Sequence, residues 1–169
     1  MRQTVSRLTG AALAFAFASA VWAAKFPEIQ AETLSGKRVA LPADVQGKPT
    51  LFVIGFTRAS KDQTGYWSKK IPSDMVNFYS IAVLEDVPRL VRPAVTHAMK
   101  SDTAKEKRDR FLLVYSKEKE LKEAVGFEKP DDAYLILIGP DGEVRWRFHG
   151  PFSHTTMSEM RTQANAMRQ

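Results

Sequence analysis

Short, unbroken apolar runs decide most of what this chain can become. Residues 50–56 read TLFVIGF, 111–115 read FLLVY and 133–138 read AYLILI. Each is too short for a buried helix, and none alternates with polar residues. Both properties suit strands covered on two faces. Residues 75–83 mix β-branched, aromatic and aliphatic side chains and make a further central strand. Helix-length stretches lie between these runs. Ser60 is placed to cap a helix that reaches Ile71 and stops at Pro72. Residues 88–99 form a second helix, with Leu90, Val91, Ala94, Val95 and Ala98 inward. Ser116 caps a third over 117–125, and Gly126 stands where a helix end favours positive φ. Gly139-Pro140-Asp141-Gly142 joins 133–138 to 144–149 as a hairpin. Residues 38–41 suit a short edge strand, Gly47-Lys48-Pro49 a turn, and 153–167 a closing amphipathic helix. Strands that alternate with helices and end in a hairpin predict an α/β three-layer sandwich with a central mixed sheet.

The 169 residues fit one domain. There is no cysteine, so disulfides, thiolate metal sites and thiol-based mechanisms are excluded. The formal net charge is +6. The basic run Lys105, Lys107, Arg108 and Arg110 is broken by Glu106 and Asp109, as on a solvated helix face, and does not read as a nucleic-acid site. The N-terminus carries Arg2 and Arg7, then an apolar stretch over 8–21, then small residues ending in Val21-Trp22-Ala23. This is the layout of a secretory signal peptide over 1–23, with a domain over 24–169. It predicts a periplasmic or otherwise exported protein. An uncleaved anchor is the alternative, and would hold the domain near a membrane.

The order of elements, with Gly47-Lys48-Pro49-Thr50-Leu51-Phe52-Val53 before a helix, resembles the thioredoxin superfamily. Phe26-Pro27-Glu28-Ile29 and Thr33-Leu34-Ser35-Gly36-Lys37 resemble its peroxiredoxin-like and periplasmic branches. The resemblance spans about 26–167. It implies redox cysteines where the first central strand meets its helix. The sequence there is Gly55-Phe56-Thr57-Arg58-Ala59-Ser60-Lys61-Asp62-Gln63. The copper-chaperone branch of cytochrome oxidase assembly has a similar Gly-aromatic-Thr opening, followed by Cys-x-x-x-Cys. Ala59 and Gln63 stand at the matching positions. That branch's metal-binding histidine has no counterpart in Pro130-Asp131-Asp132, and the superfamily's cis-proline would fall near Asp132. Phrases over 26–41, 56–67 and 146–151 are also similar to the mitochondrial thioredoxin-like ATP synthase assembly factor, which lacks the redox pair as well. These resemblances imply a redox-inactive module that binds another protein, a membrane-complex subunit among the candidates, with no thiol substrate, nucleic acid or cofactor.

Arg58, Ala59, Gln63, Tyr66, Trp67 and Asp132 are the candidate partner-binding residues. Arg58 lies at the former thiol position over a helix N-terminus, and aromatic residues near arginine are frequent interface anchors. Trp146 and Arg147 alternate sides of a strand. The plainer reading places Trp67 and Trp146 in the core. His154, Met157 and Met160 offer a soft donor set on the last helix and hence an alternative role as a periplasmic copper carrier. Against it, Met157, Met160 and Met167 also suit packing of that helix. His97, His149 and His154 lie in three elements without zinc spacing. No nucleophile elbow, phosphate loop or dinucleotide fingerprint occurs, so an enzymatic role has no supporting constellation.

Overall fold

The computed structural model describes residues 24–168. The expected signal peptide over 1–23 lies outside the described residues. The strands are β1 (Ile29–Thr33), β2 (Arg38–Leu41), β3 (Thr50–Gly55), β4 (Asn77–Val83), β5 (Phe111–Val114), β6 (Tyr134–Ile138) and β7 (Val144–His149). They form one mixed sheet in the order β2-β1-β5-β4-β3-β6-β7. The pairs β3–β4 and β4–β5 are parallel and the rest antiparallel. Helices α1 (Lys61–Lys70), α2 (Arg92–Asp102) and α4 (His154–Ala166) lie on one face, and α3 (Glu118–Val125) on the other.

The apolar runs become the central strands because their alternate residues feed two cores. Phe52 and Ile54 of β3 join Tyr134, Ile136 and Ile138 of β6 under α3, with Leu121 and Val125. Leu51, Val53, Leu135 and Leu137 face the other way, against Trp67, Ile71, Met157 and Met160. A strand buried on both faces needs no polar alternation, so the runs look continuous in sequence. The hairpin forms as expected, with an irregularity that opposes Leu137 to Trp146 and Ile138 to Val144. The extra residue, Arg145, lets Val144 and Trp146 point into opposite cores. Trp146 is therefore half-buried beside Phe148, while Arg147 is exposed on the α3 side and donates to the Ala124 carbonyl at 3.2 Å.

Several local expectations are corrected. Strand β1 was not anticipated: IQAET is short and half-polar, and it is a strand because β2 and β5 pair with it on both sides. Ser60 makes no side-chain cap for α1. Its hydroxyl donates to the Thr57 carbonyl at 2.9 Å, and Thr57 caps the preceding 3-10 turn. Ser116 does not cap α3. Lys117 occupies the cap position at φ +67°, and the Glu85 carboxylate accepts the Glu118 N–H at 2.7 Å. Ser153 does cap α4, accepting from the Thr156 N–H at 3.0 Å. Helix α2 starts at Arg92, not Pro88, and buries no residue fully. Leu90 and Val91 are exposed, as are Ala94 and Ala98, and only Val95 and Met99 reach the cluster of Leu34, Leu84 and Leu113.

Candidate functional site at the β3–α1 junction

Strand β3 ends at Gly55, where a Cβ would stand 2.8 Å from the Ser60 hydroxyl and 3.3 Å from a Thr64 methyl. Any larger residue would push on both of these side chains, so glycine leaves the turn from strand to helix undisturbed. The Thr57 hydroxyl accepts from the Ala59 N–H at 3.2 Å and donates to the Pro130 carbonyl at 2.7 Å. One residue thus orders the turn and ties it to the loop before β6. Gln63 adds a second tie, its side-chain oxygen accepting the Ala133 N–H at 3.2 Å.

The loop before β6 is held from its other side as well. Asp132, nearly buried, accepts from His149 Nδ1 at 2.7 Å, and His149 Nε2 lies 3.6 Å from Glu128. The Tyr134 ring stacks between His149 and Phe127, each centroid 5.4 Å away. Its hydroxyl accepts the Glu128 and Lys129 N–H groups and donates to the Lys129 carbonyl. Sequence reasoning missed this arrangement. The hairpin could have revealed it, because the register opposes Tyr134 to His149. Among the described residues, the one cis peptide is Leu41–Pro42, so the bond into Asp132, where the resemblance would put a cis-proline, is trans.

The six candidate partner-binding residues occupy different environments. Arg58 and Ala59 are exposed on the turn, and Tyr66 is 50% exposed, edge-on to Phe152 with the Lys70 ammonium over its ring. Gln63 is half-buried. Trp67 is fully buried and belongs to the scaffold: its indole N–H donates to the Gly150 carbonyl at 3.0 Å, and its ring packs on Phe148 and Phe152. That corrects its placement as a surface anchor. Asp132 likewise spends its carboxylate internally, on His149. The exposed part of the site is therefore Arg58, Ala59 and Tyr66, carried on a stiff, internally bonded platform.

Beside it, at the carboxyl ends of β4 and β5, lies an open hollow of about 770 Å³ lined by Glu85, Asp86, Glu118, Glu123 and Glu128 around Phe127. Lys122 pairs with Glu118 and projects over the Phe127 ring. The last helix divides the proposed copper donors: His154 is exposed, whereas Met157 and Met160 are buried against the sheet. His97 is exposed on α2. Among the described residues, no group of three or more His, Asp or Glu side chains is arranged to hold a metal ion. No described helix is long and apolar enough to cross a membrane.

No protein-family model matches the chain, and no curated protein does. Solved structures do. BsSco, described as a member of the Sco family of cytochrome c oxidase assembly proteins, superposes with a TM-score of 0.57 at 15% identity, over 85% of this chain and 92% of that one. A putative electron transport protein from Aquifex aeolicus VF5 gives 0.61 at 14%, over 85% and 98%. The exposed lipoprotein thioredoxin of Streptococcus pneumoniae gives 0.56 at 13%, over 81% and 99%. Identities this low establish the thioredoxin-like fold and no activity. The finer similarity to the ATP synthase assembly factor gains no support from them.

Proposed function

We propose that this is an exported, redox-inactive thioredoxin-like protein that binds another protein, as an assembly or chaperone-like factor for an envelope complex. One observation supports the reading. At the positions the resemblance matches to the thiols, Ala59 is exposed and Gln63 is bonded to the Ala133 backbone, and Arg58 on the turn and Tyr66 on α1 are exposed. A surface of this kind recognises without exchanging electrons. Aromatic side chains have few rotatable bonds to fix on binding, and arginine is enriched among interface anchors. BsSco, described as a member of a family of oxidase assembly proteins, and the exposed lipoprotein neighbour agree with an assembly role outside the cytoplasm. The copper alternative is not favoured, because two of its three donors are packing the core.

The test is pull-down from envelope extract with the full chain, the Arg58→Glu variant and the Tyr66→Ala variant. Loss of the same partner in both, with unchanged circular dichroism and melting temperature, supports the reading. A partner retained by both variants overturns it, and so does disulfide reduction by the purified chain.

A further inference from the structure

A second surface runs along α2, whose last residue, Asp102, meets Lys61 at the start of α1. A groove of about 530 Å³ runs between α2 and the end of β5. Arg89, Arg92, His97 and Lys100 line it, with Tyr115 and a single acid, Glu32. Arg92 is fixed in place. It donates to the Val87 and Glu85 carbonyls at 2.9 and 3.2 Å, and its guanidinium lies 4.6 Å from the Tyr115 ring centre. This makes a preformed cationic floor. Arg89, His97 and Lys100 make no side-chain hydrogen bond or ion pair among the described residues. Other surface cations, Lys48, Arg58, Lys69 and Lys107 among them, also have no carboxylate partner among the described residues; what sets Arg89, Arg92 and Lys100 apart is that they converge on one groove.

Exposed apolar residues follow Arg89 in the chain, outside the lining of the groove itself. Leu90 is 97% exposed and Val91 47%, consecutive in the segment that leads into α2. Nothing in the fold needs a leucine there, since α2 packs through Val95 and Met99. A patch that joins exposed aliphatic groups to uncompensated cations is complementary to a partner that joins carboxylates to apolar side chains.

We propose that the α2 groove docks an acidic, leucine-bearing segment of a partner protein. Its carboxylates pair with Arg89, Arg92 and Lys100, and its apolar side chains cover Leu90 and Val91. The proposal rests on the reading of this chain as a protein-binding module, but it names a separate surface, so the two can fail independently.

The experiment is fluorescence anisotropy with the full chain and a short labelled peptide of glutamate and leucine, against a lysine–leucine peptide of equal length. The acidic peptide is expected to bind and to weaken as salt rises. The double variant Arg89→Glu/Lys100→Glu should lose at least about tenfold in affinity. Leu90→Ser should weaken binding by a smaller factor without changing the salt slope, while Arg58→Glu leaves it unaltered. Equal binding of the two peptides overturns the proposal, as does unchanged affinity in the double variant. Displacement of the peptide by inorganic phosphate at comparable concentration also overturns it, in favour of a small-anion site. So does capture by phosphatidylglycerol vesicles, abolished by Arg89→Glu/Lys100→Glu, when the peptide shows none.

Discussion

Helices α1 and α2 are nearly equal in length, lie on the same face of the sheet and are joined by the Lys61–Asp102 ion pair, yet they are held in opposite ways. Helix α1 drives Trp67 fully into the core and closes its indole on Gly150, and its first turn is tied to the β6 loop through Gln63. Helix α2 buries no residue completely, and the segment leading into it leaves Leu90 in solvent. One large side chain, with its single polar atom satisfied, fixes an element more firmly than several small ones that only graze the surface. In the function proposed above, helix α1 frames the binding surface, and the looser seating of α2 leaves it free to be a second one.

The contrast can be broken most sharply at Trp67. Trp67→Ala should cost about 3–5 kcal/mol, since it leaves a large void and an unpaired Gly150 carbonyl. Urea denaturation measures this, and a loss no larger than that of an α2 variant would erase the distinction. Met99→Ala, in α2, should cost under about 2 kcal/mol, the floor for a fully buried methionine. Native-state hydrogen exchange should then show α2 amides opening at lower free energy than those of α1. Asp102→Asn cuts the tie between the helices and should change stability by about 0.2–1 kcal/mol, because both partners are exposed. The smallest effect is electrostatic. Asp109 is held below the ordinary carboxylate range by hydrogen bonds from Lys37, then Ser35. A depressed carboxyl adds stability above its unfolded pKa and loses it as pH falls through the folded value. Lys37→Met should therefore flatten the acid side of a stability–pH profile. An unchanged slope would mean the pair contributes nothing in solution.

The comparison also marks where the sequence was readable. The strands β3, β5 and β6 and the hairpin were legible because a doubly buried strand must be apolar throughout, and a Gly-Pro-Asp-Gly turn admits few conformations. Strand β1 was not, since IQAET takes its extended form from pairing with β2 on one side and the distant β5 on the other. The tight turn from β3 into α1 was also legible, through Gly55 and Thr57. The fate of the residues around it was not. Tyr66 and Trp67 are adjacent letters, and one is half in solvent while the other has no exposure at all. Ser116 looked like a cap, and the cap came from Glu85 in another loop.

From composition and pattern alone follow a layered α/β fold and a chain that cannot run thiol chemistry, because hydrophobic periodicity and the presence of a nucleophile are local properties. Which side chains face outward, that His149 meets Asp132, and that α2 leaves its cations unpaired beside a bare leucine are settled only when distant segments pack. Burial and charge pairing are relations between residues the chain order keeps apart.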